Sequence, residues 1–501
     1  MKLDYIFKKY QQHHWVEEEG AASIHTMDPW RTCYLDGKDI FKGFKGYSFC
    51  IFLLEKNRLY EWSSFEEGKR VLTWMIDKYK KDRRYWQKKD KEYRSVNQQI
   101  DDMFYFFCDT DIKKFGNQQL RKYIKQLMRL GNLQFGYNLI AEGMDVVDDN
   151  YYRNLLPNVS EDKLLDIIGL MSTPDDLTFL EKEHLDILRL ARAYYKFKKL
   201  PDQFYKDLAK HQHNYFWIQN NYQGAKEVKI SYFQNELDEI FSNINLAQIN
   251  QQINYLEHKK IFLSRKRKLA QKRYKLSKES RHFFSLLRLL AGWQDRRKEN
   301  IQKILSAIDK IFFVIYQRFK VPKVILREYF IQEINNLLLT GRKVTDKELN
   351  KRRIIMFYNY LDKSNNIKKQ IFYGQAAIEA KQYFQRHNQL DVNQGLSGFV
   401  ASRGMGQTII RGKARIVLSA HGAKFNKGEI LVTGMTRPEF VPLMKRAKAI
   451  ITNEGGITTH AAIISRELKI PCIIGTKVAT EVFKTGDTVE LDLKQGIIKK
   501  I

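Results

Sequence analysis

The stretch "EGGITTHAAIIS" at residues 454–465 decides how the C-terminal part of this sequence folds. Two glycines, two threonines and a histidine stand directly before an alanine and isoleucine run, which is typical of a loop that becomes a helix. Thr458 or Thr459 is suited to be the helix N-cap, because its hydroxyl oxygen can accept from a first-turn amide. The pattern therefore places His460 in the first turn of a helix.

The chemistry of that turn suits a phosphoryl group. Gly455 and Gly456 allow backbone dihedrals closed to other residues and let a bulky anion approach the main chain. Unpaired amides and the positive end of the helix dipole favour a neutral imidazole at His460 and an anion beside it. A neutral ring nitrogen is a nucleophile, so the turn fits a phosphohistidine intermediate. A single histidine at a helix start is more often a capping or surface residue, and the residues alone leave both interpretations open.

Short β-rich runs surround this stretch and indicate a compact α/β domain. Of the 27 glycines, 13 lie in the last 111 residues, so the architecture changes near residue 390. The strand-like runs are separated by Gly, Asn and Pro. They are "GQTIIRGKARIVLS" (406–419), "GEILVTG" (428–434), "AKAIITN" (447–453), "IPCIIGT" (470–476) and "DTVELDL" (487–493), with helices predicted at "RPEFVPLMKRA" (437–447) and "THAAIISREL" (459–468).

The sequence before residue 390 is mostly helical in pattern. From about residue 66 to 388, apolar residues recur at three- and four-residue steps. The clearest examples are 160–171, 175–197 and 300–319. "TDKE" at 345–348 fits a capping box, in which Thr345 and Glu348 satisfy each other's backbone amides.

A short N-terminal segment is predicted to contain both helix and strand. "YSFCIFLL" and "RLYEWSS", joined by the turn-like "EKN", indicate a β-hairpin. The predicted fold is therefore mixed, with a large, mostly α-helical N-terminal region followed by a small α/β domain. We expect a mixed α+β segment at 1–65, an α-helical region at 66–390 and the α/β domain at 391–501.

The composition of the chain indicates where the protein is located and which metal sites are unsupported. Hydrophobic residues make up 43% of the chain, and "FCIFLL" and "IFFVIY" are far shorter than the roughly 20 residues of a membrane span. The start has no signal-peptide pattern, so we expect a cytoplasmic protein without a membrane segment. The four cysteines show no paired spacing, which predicts buried thiols rather than disulfides or a metal site. His211 and His213 lack companion ligands, so a zinc site there is weakly supported.

The net charge of +30 raises the question of nucleic-acid binding. The last 111 residues hold 17 Lys and Arg against 9 Asp and Glu, which leaves +22 (70 − 48) spread over the N-terminal part. Abundant Lys, Asn, Ile, Tyr and Phe are also typical of an AT-rich genome. The densest basic run, at 258–278, is predicted to be an exposed amphipathic helix. No zinc-finger, RNA-recognition or helix-turn-helix signature is present, so a nucleic-acid partner is not expected.

The run from "GEILVTG" to "QGIIKK" resembles the swivelling phosphohistidine domain of the phosphoenolpyruvate-utilising enzymes. That family includes phosphoenolpyruvate synthase, pyruvate phosphate dikinase, the sugar-transport enzyme I and rifampin phosphotransferase. The motifs "GGITTHAAI", "SRELKIPCIIGT" and "GDTVELDLKQG" occur in the family's order, over about residues 395–500. The resemblance implies a β/β/α swivelling fold in which His460 is phosphorylated. It places Thr458 and Thr459 as the hydroxyl pair beside that histidine and Gly455 and Gly456 in the loop before it.

Residues 280–353 resemble, more faintly, the helical segment that precedes this domain in the synthase and rifampin-enzyme branches. The layout is closest to those branches without their nucleotide-binding domain. Arg437, Lys445 and Arg466 are candidates to neutralise phosphoryl charge. Arg466 lies on a predicted helix, where purely structural contacts are an equal alternative.

Two features of the family are not found in this sequence. No glycine-rich ATP-grasp pattern or GxxxxGK[ST] phosphate loop occurs, and no phosphoenolpyruvate-binding barrel is expected in this chain. The resemblance then implies a phosphotransferase component whose ATP-binding, ATP-grasp-like subunit is separate and would hold ATP and magnesium. The helical region would hold a small-molecule phosphoryl acceptor, and no metal or cofactor is assigned to this chain. The alternative is a non-catalytic binding or regulatory protein whose basic helical region contacts nucleic acid or an acidic partner.

Overall fold

The described part of the computed structural model consists of two β-sheets and a large helical layer. The structure describes residues 3–10, 13, 15–31, 33–44, 46–144, 146–147, 149–197, 199–387, 396–418, 420, 423–436, 440–453, 460–476 and 478–501. Within these ranges, no helix is both long enough and apolar enough to cross a bilayer.

The first sheet is antiparallel and has a hairpin at its centre. Its strands are β1 (Trp15–Ala21), β2 (Phe49–Glu55), β3 (Arg58–Ser64), β4 (Ile354–Leu361) and β5 (Ile367–Tyr373). They lie in the order β1-β3-β2-β4-β5. The predicted hairpin is confirmed, since β2 and β3 pair directly. Between them Lys56 and Asn57 have φ values of 47° and 71°, as a two-residue hairpin turn of the primed type requires.

Strands β4 and β5 correct the expectation that residues 66–388 are helical throughout. β4 pairs with β2 from Phe49–Tyr360 to Glu55–Ile354, and β5 pairs with β4. The first six residues of β4 are buried, so the strand lacks the alternation that marks a half-exposed strand. The sheet thus combines the predicted 1–65 segment with part of the predicted helical region, and the proposed boundaries of those two segments stay predictions.

The helical layer is built around one long helix, α14, whose C-terminal part is the helix predicted at 300–319. The helices before the C-terminal domain are α1 (Leu3–Tyr10), α2 (Ile24–Trp30), α3 (Cys33–Ile40), α4 (Phe65–Lys81), α5 (Arg83–Asp109), α6 (Asn117–Asn138), α7 (Asp149–Leu155), α8 (Glu161–Ser172), α9 (Phe179–Tyr194), α10 (Asp202–Tyr215), α11 (Ile230–Asn243), α12 (Leu246–Glu257), α13 (Lys259–Arg273), α14 (Lys278–Phe319), α15 (Lys323–Leu326), α16 (Ile331–Thr340), α17 (Asp346–Asn350) and α18 (Gln375–His387). The helices predicted at 160–171 and 175–197 are confirmed as α8 and α9. The 42 residues of α14 extend about 63 Å.

The large core lies between α14, its neighbours α5, α6 and α8, and one face of the first sheet. Phe52 of β2 and Phe357 of β4 contribute to it from the sheet. The opposite sheet face packs against α18 through Trp62 and Phe384. A second helical core forms among α9 to α12. The helices are therefore fixed by shared burial rather than by local propensity alone.

The predicted capping box is confirmed at the start of α17. The Glu348 amide donates to Thr345 Oγ1 at 3.3 Å, and the Thr345 amide donates to Glu348 Oε2 at 2.9 Å. The basic run at 258–278 forms α13 and the start of α14, and most of its cationic side chains are exposed. Cys50 and Cys472 are buried and Cys108 is half-buried, and none of these three is in a disulfide.

The C-terminal sheet has four parallel strands at its centre and antiparallel strands outside them. Its strands are β6 (Leu396–Ser397), β7 (Phe399–Arg403), β8 (Ile409–Ile416), β9 (Ile430–Thr433), β10 (Ala449–Thr452), β11 (Pro471–Ile474), β12 (Thr488–Asp492) and β13 (Ile497–Lys500). Their order is β6-β13-β12-β8-β9-β10-β11-β7, with β8 to β11 parallel. The five predicted strands are β8 to β12. Strands β6, β7 and β13 were not predicted.

Among the described residues of this domain, three helices lie on the sheet: α19 (Val441–Met444), α20 (His460–Glu467) and α21 (Ala479–Val482). Helix α20 packs on the face that presents Leu431, Ile450 and Cys472, and α21 packs on the opposite face. The chain passes from β10 through α20 to β11, a βαβ unit. The predicted small α/β domain is therefore present, and α20 connects two of its central strands.

Candidate functional site

His460 is the first residue of α20, which confirms that the helix starts where the sequence predicted. The helix follows strand β10, so its N-terminus lies on the side of the sheet where the carboxyl ends of the parallel strands meet. In open α/β sheets this edge is where ligands bind. The predicted phosphate-binding residues Gly455, Gly456, Thr458 and Thr459 lie outside the described residues, as does Arg437.

A buried hydrogen-bond network holds the carboxyl edge from which the 454–459 segment leaves. Asn453 directly follows β10, and its amide donates to the Thr433 carbonyl oxygen at 3.0 Å. Its side chain donates to Thr480 Oγ1 at 2.6 Å and accepts from the Thr480 amide at 3.0 Å. Asn453 is 3% exposed, so these bonds lie out of reach of most solvent. They fix the last residue before the predicted loop to both β9 and α21.

Hydrogen bonds also fix the chain just after the neighbouring strand β11. Thr476 donates from its amide and its hydroxyl to the Thr452 carbonyl oxygen, at 3.1 and 2.9 Å. Both threonines are fully buried. Asn453, Thr476 and Thr480 were not predicted as site residues. Asn453 and Thr476 could have been noticed as polar residues just after short apolar strands, whereas Thr480 lies within α21 and has no such signal.

Small residues let α20 lie close to the sheet. Ala461 and Ala462 are 3% and 0% exposed, and Ser465 is fully buried. Ser402 of β7 donates to the Ser465 carbonyl oxygen at 3.4 Å, and the Ile470 amide donates to the same oxygen at 2.8 Å. The backbone of α20 is thereby fixed. Its N-terminal amides and dipole provide the electrostatic setting for an anion beside residue 460.

Arg466 lies near the other end of α20 and contacts the helical region. A Cβ added to Gly169 of α8 would lie 3.2 Å from Arg466 Nη1 and 3.4 Å from its Cδ. His460 and Arg466 are six residues apart on α20, about 9 Å along the helix axis. The structure therefore places Arg466 at a contact between the two regions, and its proposed charge-neutralising role stays a prediction. Lys445 follows α19 and is exposed.

Two more arginines satisfy the C-terminal carbonyl groups of α8. Arg267 Nε donates to the Leu170 carbonyl oxygen at 2.9 Å, and the same guanidinium contacts Asp175. Arg288 Nη1 donates to the Met171 carbonyl oxygen at 2.8 Å. Burial lowers the pKa of Arg288, and the neighbouring positive charge of Arg267 lowers it further. Cations are favourable at a helix C-terminus, so Arg267 and Arg288 stabilise the end of α8 that Arg466 also approaches.

Two further contacts join the α/β domain to the rest of the chain. Phe399 of β7 packs against both the large helical core and the core beneath α20. Gln385 of α18 donates to Glu481 of α21 at 3.3 Å. Residues 388–395, which connect α18 to β6, lie outside the described residues.

The remaining histidines of interest make structural contacts. His211 Nε2 lies 2.9 Å from Glu183 Oε1, and both side chains are buried. Burial raises the pKa of Glu183, and the bond to His211 offsets this in part. His213 Nε2 lies 3.7 Å from Asp109 Oδ1. Across the part of the chain that the structure describes, no three His, Cys, Asp or Glu side chains lie together as metal ligands would.

Comparison with known proteins shows which family the C-terminal domain resembles. Residues 425–496 match the family described as "PEP-utilising enzyme, mobile domain". The chain is 47% identical over 111 residues to a probable phosphoenolpyruvate synthase of Archaeoglobus fulgidus, covering 22% of this chain and 15% of that relative. It is 49% identical over 104 residues to a probable phosphoenolpyruvate synthase of Staphylothermus marinus, covering 20% of this chain and 12% of the relative.

The chain is also 49% identical over 104 residues to a phosphoenolpyruvate synthase of Pyrococcus furiosus, and this match covers 20% of this chain and 13% of that relative. The chain thus matches at most 15% of the length of these three relatives. The C-terminal part is a mobile domain of the phosphoenolpyruvate-utilising type, as its motifs implied. This similarity supports a role in phosphoryl transfer.

Proposed function

We propose that the mobile domain at the C-terminal end of this chain carries a phosphoryl group covalently on His460. The observation that carries the proposal is the position of His460 at the first residue of α20, inside the segment that matches the mobile-domain family. Helix amides and the helix dipole favour an anion at that position. The chain would then be a phosphotransferase component.

The reaction proceeds in two transfers. In the first, a ring nitrogen of His460 bonds to the phosphorus of the donor while the bond from that phosphorus to the donor's leaving oxygen breaks. In the second, an acceptor oxygen bonds to the same phosphorus, the phosphorus–nitrogen bond breaks, and the acceptor's proton leaves. A covalent intermediate divides one difficult transfer into two easier steps. The neutral imidazole that starts the cycle is restored at its end.

The donor is ATP or phosphoenolpyruvate, and we propose that a separate ATP-binding subunit presents it. That subunit would also hold the magnesium ion that neutralises phosphate charge. The proposed acceptor is a small molecule held by the helical region. The contact of Arg466 with Gly169 supports this arrangement, because it joins the helix that carries His460 to helix α8 of that region.

Labelling with the phosphoryl donor tests the proposal. The purified chain is incubated with ATP or phosphoenolpyruvate carrying labelled phosphate, alone and together with the proposed ATP-binding subunit. We expect a protein-bound label that is labile in acid, stable in alkali, and absent from His460→Ala. The control is His258→Ala, because His258 is an exposed histidine at the start of another helix. Label that persists in His460→Ala, or no label with either donor in both preparations, would contradict the proposal.

A further inference from the structure

A basic groove lies between helices α6 and α16 of the helical layer. Its volume is about 610 Å³, within the range of small-molecule sites. Helix α6 lines one wall and the first turns of α16 line the other. The polar side chains that line these walls include Arg121, Lys122, Lys125, Arg129, Asn132 and Gln332.

The four cations of this basic groove lie on one face of α6. Arg121, Lys125 and Arg129 follow one another at four-residue steps, which are about 6 Å apart along a helix. Lys122 lies beside Arg121 on the same face. Helix α6 contains no acidic residue in its 22 positions. The face therefore forms a continuous row of positive charge rather than the alternating charges of an ordinary solvated helix.

These cations have no acidic partners among the residues that the structure describes. No ion pair there involves any of the four, and Arg129 donates only to the neutral Gln99 Oε1, at 3.2 Å. No acidic side chain lines the groove. The acids close to the first turn of α16 are already engaged: Asp28 accepts from the Ile331 amide at 3.1 Å, and Glu333 pairs with Arg352. The positive charge of the groove is thus left for an external anion.

Two inner polar atoms of the groove wall are buried without a hydrogen-bond partner in the described structure. They are Arg121 Nε and Asn132 Oδ1. An unpaired buried donor or acceptor costs roughly 1–3 kcal/mol, so native proteins usually provide it with a partner. Neither atom is exposed to the groove, so a ligand there would meet the exposed ends of Lys122, Lys125 and Arg129 instead.

We propose that this groove binds a small molecule that carries two or more phosphate groups. Charge-assisted bonds from a guanidinium or ammonium group to phosphate are the strongest that such a wall can form. The row of cations, about 12 Å from Arg121 to Arg129, suits an extended oligophosphate better than a single phosphate. The wall includes Met128 and Ile331 but no aromatic side chain, whereas single-stranded nucleic acid is usually held by stacking of its bases on aromatic rings.

Calorimetric titration of the full chain with inorganic tripolyphosphate tests this assignment. We expect one binding site, weaker binding of inorganic phosphate, and affinity that falls with added salt. The variant Lys122→Glu with Lys125→Glu should lose affinity by about tenfold or more, because two attractive charges become repulsive. Both lysines are exposed, so the fold should be retained, which circular dichroism checks.

The matched control places the same charge change on another helix. Lys266→Glu with Lys268→Glu alters two exposed lysines of α13 and should leave tripolyphosphate affinity within about twofold, as expected of distant surface charges. Arg121→Gln should also weaken binding, and His460→Ala should not, so failure of this proposal is separate from failure of the phosphohistidine assignment.

Three outcomes would overturn the proposal. The first is that tripolyphosphate does not bind to the protein. The second is that the α13 control variant loses as much affinity as the groove variant, which would indicate general attraction to a cationic protein. The third is that a single-stranded oligonucleotide binds more tightly than tripolyphosphate and is lost in the groove variant. That result would assign the groove to a nucleic-acid backbone instead.

Discussion

The guanidinium of Arg466 lies against the backbone of Gly169, and an added Cβ at residue 169 would be 3.2 Å from Nη1. This contact joins α20, the helix that begins with His460, to α8 of the helical region. A Cβ at this distance would be tighter than an ordinary van der Waals contact, so a side chain at residue 169 requires the Arg466 side chain to shift. The close contact between the mobile domain and the helical layer at this point therefore uses a glycine.

Gly169→Leu should weaken the contact between α8 and α20 without unfolding either helix. The leucine side chain occupies the space of the Arg466 guanidinium and displaces it. Hydrogen–deuterium exchange should become faster in α20 and in the last turn of α8, while the core of α14 stays protected.

Gly292→Leu is the matched control for that variant. Gly292 is also an interior helix glycine, but a Cβ there meets no atom within 4 Å. Replacing it should stabilise the protein by roughly 0.5–1 kcal/mol through helix propensity alone. Equal exchange profiles in the Gly169 and Gly292 variants would show that the Arg466 contact does not hold the domain.

Asn453→Ala should destabilise the C-terminal domain by about 1–3 kcal/mol, because it removes the hydrogen bonds of a buried side chain and leaves the half-buried Thr480 amide without its acceptor. It should also slow labelling of His460, since the segment that leads into α20 starts from this residue. Chemical denaturation and a labelling time course measure the two effects. Asn426→Ala, at an exposed asparagine of the same domain, is the control and should change stability by less than about 0.5 kcal/mol. A mild effect at both positions would rule out a positioning role for the Asn453 network.

Asp295→Asn should stabilise the protein above neutral pH and leave it almost unchanged in acid. Burial raises the pKa of Asp295 to about 7, and the nearby charge of Glu299 raises it further. Between the ordinary aspartate pKa and about 7, the folded state holds a proton that the unfolded state has lost, so stability falls as pH rises through this window.

The amide at residue 295 can still accept from the Phe179 amide, now 3.2 Å from Oδ2, but carries no charge. The gain at pH 8 should be roughly 1–4 kcal/mol, measured by chemical denaturation at several pH values. A loss of stability that is the same at pH 5 and pH 8 would show that the carboxyl does not titrate in this window.

Local pattern was enough to predict the elements whose partners are close in sequence. The β2–β3 hairpin follows from two β-rich runs around Lys56 and Asn57, and the start of α20 follows from the residues before His460. Strand β4 was missed because it is buried on both faces and pairs with β2, far earlier in the chain. No local signal specifies that pairing.

The site could be predicted only as far as its motif extends. His460 was placed correctly at the start of α20. The bonds between Asn453 and Thr480 depend on how β10 and α21 pack, and the contact between Arg466 and Gly169 depends on how two regions meet. The four-residue spacing of Arg121, Lys125 and Arg129 could have indicated a basic face on α6, but not the wall that α16 adds.

The central claim is that His460 carries the phosphoryl group, and site mapping by mass spectrometry tests it most directly. The chain is labelled with phosphoenolpyruvate, or with ATP and the proposed ATP-binding subunit, digested at alkaline pH, and its phosphopeptides are sequenced. We expect a phosphoryl group on the imidazole of His460. A phosphoryl group found instead on a serine, a threonine or another histidine would contradict it.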